Sequence, residues 1–113
     1  MIDAAVIREI ISVYSKHGWT LRRVLHSASL EKVLEKESPV LFAGATIKTS
    51  DIDAAWFSRD TNAGGTAWEI RHLSSAPFAL VVVIDEKSGN FEDILLDTED
   101  RLRETVGKRI TGH

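Results

Sequence analysis

The chain reads as an α+β protein: a two-layer domain in which an antiparallel sheet of about four strands carries an N-terminal and a C-terminal helix on one face. Three observations predict this. A hexapeptide pattern occurs twice, as Trp19-Thr20-Leu21-Arg22-Arg23-Val24 and as Trp68-Glu69-Ile70-Arg71-His72-Leu73. Its alternation suits strands, whose side chains point to opposite faces in turn. Long runs of apolar residues at helical spacing lie near the two ends of the chain, and the intervening order of short apolar segments and turns has no doubly wound character.

The first helix comes from Ile2, Val6, Ile7, Ile10, Ile11, Val13 and Tyr14, which fall on one side, with Arg8, Glu9, Ser12, Ser15 and Lys16 on the other. Asp3 suits its first turn, and Lys16-His17-Gly18 stops it with cations at the negative end followed by glycine. The first signature strand follows over residues 19–26. A short helix capped by Ser29 occupies residues 29–36, and Pro39 closes it. Residues 40–48 are read as extended around Gly44.

Residues 50–59 fit two descriptions. A helix would have a capping box from Ser50 to Asp53, whereas a strand sets Ile52, Ala54 and Trp56 against Asp53, Ala55 and Phe57. The strand is preferred because Asp60-Thr61-Asn62-Ala63-Gly64-Gly65 makes a turn into the second signature strand. Ser74-Ser75-Ala76-Pro77 then leads into residues 78–84, whose unbroken apolar content predicts an interior strand covered on both faces. A long helix starts near Asn90, with Phe91, Leu95, Thr98, Leu102 and Val106 on its buried side. The rival parse, with a strand over 91–96 and a helix capped by Thr98, ranks second.

Size and composition bound the function. One domain over residues 1–113 is the ordinary expectation for this length. The absence of cysteine removes disulfides, thiolate nucleophiles and cysteine-ligated zinc, which suits the cytoplasm. Asp3, Arg8, Glu9 and Lys16 interrupt the first segment, so it does not form the apolar core of a secretory signal. No apolar run approaches the roughly 20 residues of a membrane helix. The net charge of −3 argues against binding nucleic acid by general phosphate neutralisation. The basic residues Arg101, Arg103, Lys108 and Arg109 are read as complementing a helix end.

If both tryptophans lie beneath the helices, the opposite sheet face presents Arg22, Glu69 and Arg71, joined by Arg59 and by Phe57 as apolar area. The plain reading of such a face is solvated cross-strand ion pairs. The sharper reading is an interface, because the arginine fork binds carboxylates in pairs and stacks on aromatics. A face bearing both Arg and Glu is self-complementary, as a two-fold homodimer requires. The expected function is therefore a non-catalytic homodimer that binds a protein or peptide.

The alternative is a small enzyme or ligand-binding domain, with a pocket between sheet and helices where an anionic ligand meets His72, Trp56 and Trp68. No catalytic residue is assigned. His17, His26, His72 and His113 share no ligand spacing, so neither a metal site nor a cofactor is expected. Ala63-Gly64-Gly65 lacks the spacing of a phosphate loop and leads into a strand.

Overall fold

A computed structural model describes residues 2–61, 64–74, 76 and 78–110. Asn62, Ala63, Ser75 and Pro77, expected in turns, the terminal His113, and the side chains of Lys108 and Arg109 lie outside what is described.

Helix α1 (Ala4–Lys16) starts at Asp3, whose carboxylate accepts from the Val6 amide at 3.0 Å. Gly18, at φ +85, then turns the chain out of the helix, a backbone conformation that side chains resist. Strand β1 (Thr20–His26) follows. Next come α2 (Ala28–Leu34), a 3₁₀ turn at Glu35–Glu37, and the one-turn α3 (Ser38–Leu41). Pro39 therefore opens a helical turn, where its missing amide is harmless, instead of closing the preceding helix. Strands β2 (Thr46–Thr49), β3 (Ala54–Asp60), β4 (Thr66–His72) and β5 (Ala79–Ile84) precede α4 (Phe91–Ile110). The strand reading of residues 50–59 holds from Ala54 onward, while residues 50–53 bend ahead of β3, and α4 begins at Phe91.

The sheet has five strands in the order β2-β1-β3-β4-β5. It is mixed, not purely antiparallel, because β2 runs parallel to β1 while the other neighbours are antiparallel.

A second correction concerns the layers. The terminal helices do not share a face. Ile7 of α1 packs with Val24, Ala55, Phe57 and Leu73, and Leu30, Leu34 and Phe42 extend this core beneath α2 and α3. On the opposite face Leu95, Leu102 and Val106 of α4 pack with Leu25, Trp56, Trp68 and Ile70. Both faces of β1 and β3 are thus apolar, and the sheet is sandwiched between helices.

Third, β5 is not interior. It pairs with β4 on one side and lies at the sheet edge on the other. Leu80, Val82 and Ile84 turn toward the α4 core, while Val81 and Val83 are 57% and 68% exposed on the α1 side.

Candidate interaction surface

The doubled hexapeptide does not place its tryptophans on one face. Leu21 pairs with Phe57 and Arg23 with Trp56, leaving Arg22 as an extra residue in β1. A bulge of this kind puts two successive residues on the same side and reverses the parity beyond it. Trp19 therefore joins the α1-side core while Trp68 is buried under α4. Arg22 and Arg23 both approach the Trp68 ring, with guanidinium carbons 5.1 and 5.8 Å from its centroid. Arg23 makes a forked pair with Glu92 at 2.9 and 2.5 Å, which holds the Glu92 carboxyl below its ordinary range. Arg22 donates to Ser58 Oγ at 3.1 Å. The bulge thus separates Arg22 from the other expected interface residues.

Those others do share the α1 side. Phe57 is buried, its ring stacked 4.0 Å from that of Tyr14 at an interplanar angle of 11°. The Tyr14 hydroxyl donates to Glu69 Oε2, and burial together with the Glu69 carboxylate pushes the phenol far above its usual range. Arg71 Nη1 donates to the carbonyls of His72 and Ala76, the latter at 3.0 Å, so it clamps the loop after β4. Desolvation lowers its pKa while Tyr14 and Glu69 oppose the effect. Arg59 donates to the His17 carbonyl at 3.0 Å and lies 4.8 Å over Trp19. Phe57 and Arg59 therefore fasten α1 to the sheet. Glu69 and Arg71 stand where its cover ends.

Beyond that limit the α1-side face is open. Val6, Ile10 and Val13 of α1 border a cleft of about 230 Å³ with Tyr14, Arg71 and Ser74. In the sheet register, Ala79 sits beside Arg71, Val81 beside Glu69 and Val83 beside Ala67. The result is an apolar half-face with Glu69 and Arg71 set into it, ending at the β5 edge.

Of the ligand-pocket residues, Trp56 and Trp68 meet edge to face with ring centroids 6.1 Å apart, but His72 lies away from them. Trp56 and Trp68 are core side chains, 0% and 2% exposed, and Trp56 Nε1 donates to Glu99 Oε2 at 2.8 Å. His72 instead lines a separate cleft of about 650 Å³ with Asp51, Asp53, Ser74 and Arg103. The Ser74 hydroxyl donates to the Ala76 carbonyl at 3.0 Å, so it accepts from His72 Nδ1 at 2.9 Å and leaves the lone pair of the neutral ring on Nε2. Arg103 in that cleft is held by Asp51, at 2.8 Å, and by Asp100. Among the described residues no group of three or more His, Asp or Glu side chains is placed to hold a metal ion.

Sequence reasoning missed Tyr14, Val81 and Val83. For the valines the sequence offered no signal, because residues 79–84 are apolar at every position. Comparison with family models, curated proteins and solved structures finds no match to this chain. Among the described residues no helix is long and apolar enough to cross a membrane.

Proposed function

We propose that this chain is a non-catalytic cytoplasmic module, acting as one domain, that forms a homodimer and binds a protein or peptide through the open half of the α1-side sheet face. One observation carries the reading: β5 sets Val81 and Val83 in solvent at an uncharged sheet edge. Natural sheets ordinarily defend such edges with lysine, proline, bulges or very short strands. The opposite edge illustrates the usual defence, since β2 has four residues and includes Lys48. Val6 and Val13, 38% and 46% exposed, continue the apolar area across α1. Glu69 and Arg71 supply polar groups at its inner boundary, where an interface gains specificity in place of bulk affinity.

Sedimentation velocity over a range of micromolar concentrations tests this. A monomer–dimer equilibrium is expected, shifted to monomer by Val83→Lys, whose charge lies on the exposed face and leaves the core untouched. A wild-type chain that stays monomeric throughout would overturn the proposal.

A further inference from the structure

We infer that the dimer forms by antiparallel pairing of β5 with β5 of a second copy, with Val81 on the two-fold axis, Ala79 opposite Val83 and Leu80 opposite Val82. The inference rests on the homodimer reading above and assigns it a register. Its basis is the direction of the backbone groups. In an antiparallel ladder, residue pairs alternate between those that exchange hydrogen bonds and those that do not. The His72 amide donates to the Phe78 carbonyl at 2.8 Å. In the observed register the hydrogen-bonded pairs are then Ile70 with Leu80, Trp68 with Val82 and Thr66 with Ile84. The amides and carbonyls of Ala79, Val81 and Val83 consequently point away from β4, along the free edge.

Two-fold pairing requires these same residues to face one another, and the centred register does this with no group of the strand left over. The second copy is favoured over a foreign strand by the ends of β5. Arg71 stands beside its N-terminal end on β4, while Asp85 and Glu86, followed by Lys87, stand beyond its C-terminal end. Antiparallel pairing sets the acidic end of each copy against the basic end of the other. It also encloses the open half of the α1-side face. One copy provides a floor with a single wall, α1; the second extends the floor with its own β5 and β4 and supplies the facing wall. Six residues on each side make a small interface, so the dimer should dissociate on dilution.

The chain has no cysteine, so a single introduced thiol can form disulfides only between molecules. Across a hydrogen-bonded antiparallel pair the Cα atoms are about 5.5 Å apart, within the roughly 4.4–6.8 Å that a disulfide spans. Val81→Cys should therefore oxidise almost completely to a covalent dimer at concentrations where wild type is dimeric. Val40→Cys, at an 83% exposed position on α3, should not. Amide exchange on the unmodified chain gives an independent reading: the Val81 and Val83 amides should slow several-fold as concentration rises through the dimer transition. A dimer that leaves Val81→Cys reduced and those amides fast would overturn the register while leaving the dimer. A monomer at every concentration would overturn both, whether the edge then takes an extended peptide or nothing.

Discussion

The buried Trp56 indole and the Glu99 carboxylate show how a single hydrogen bond is tied to the core around it. Each is removed from water and each is the other's partner at 2.8 Å. Trp56→Phe removes the donor and leaves a carboxylate oxygen without a partner, a loss of about 1–3 kcal/mol, to which the vacated ring volume adds. Glu99→Gln keeps an acceptor and should cost clearly less. Denaturant titration of the two variants measures the difference, and equal losses would show the bond to be incidental. His72 supports a second residue-scale prediction. Burial lowers its pKa below the ordinary 6.5; Asp53 opposes this and Arg71 adds to it, and Asp51 and Arg103 also face the same cleft. The unfolded chain therefore takes up a proton that the native ring refuses, so stability falls as pH drops below about 6.5 and levels off above it. The carboxyls of Asp51 and Glu92, lowered chiefly by their arginine partners, contribute stability that is lost only at more acid pH, below their ordinary 3.8 and 4.5. Thermal unfolding between about pH 7.5 and pH 5.5 isolates the histidine. His72→Gln should flatten the slope in that window, and an unchanged slope would assign it to another group.

At the scale of elements, α2 is anchored by Leu30 and Leu34 and closed at its N-terminus by a serine cap. Ser27 Oγ caps it by accepting from the Leu30 amide at 3.2 Å, and the Ser27 amide donates to Asp53 Oδ1 at 2.6 Å. Ser27→Ala should cost about 1 kcal/mol. Ser27→Asp should not recover it, although aspartate is a good cap elsewhere, because its carboxylate would sit against that of Asp53. At the other end Glu35 adopts φ 40 and ψ −109, a conformation that a side chain resists. Glu35→Gly should raise the unfolding midpoint, and a lower midpoint would remove the argument from strain. The legibility of these elements in the sequence was uneven for physical reasons. α1 and α4 were readable because charge on one side and aliphatics on the other make a periodic signal. β3 and β4 were readable from turn glycines and tryptophans. The faces were not, because one extra residue at Arg22 reverses the parity of β1, and a bulge leaves no compositional mark. The site suffered from the same error. Glu69, Arg71, Arg59 and Phe57 lie on one side of the sheet, but the helix that covers two of them was assigned to the other side. In β5 the run Ala79-Leu80-Val81-Val82-Val83-Ile84 is apolar at every position, so its exposed valines could not be told from its buried ones.

For the molecule as a whole, the decisive feature is that two helical layers share one sheet. Ala54, Trp56 and Leu25 face α4, while Ala55, Phe57 and Val24 face α1 along the same stretches of β3 and β1. Neither core can be lost without exposing the back of the strands that hold the other, so the two should melt together. Ile7→Ala on the α1 side and Leu102→Ala on the α4 side remove fully buried side chains, and each should cost about 2–5 kcal/mol. The three tryptophans divide between the layers, Trp19 with α1 and Trp56 and Trp68 with α4. Indole emission therefore samples both cores, weighted toward the α4 side, while far-ultraviolet dichroism follows the backbone of all the elements. In either variant the two signals should move to a lower midpoint and stay superimposed, with the denaturant dependence unchanged, since the surface exposed on unfolding is the same. If Ile7→Ala instead gave a dichroism transition that preceded the loss of buried-tryptophan emission, α1 would be a separately melting cover. The open sheet face beside it would then extend under α1, and the boundary drawn at Glu69 and Arg71 would move to Phe57.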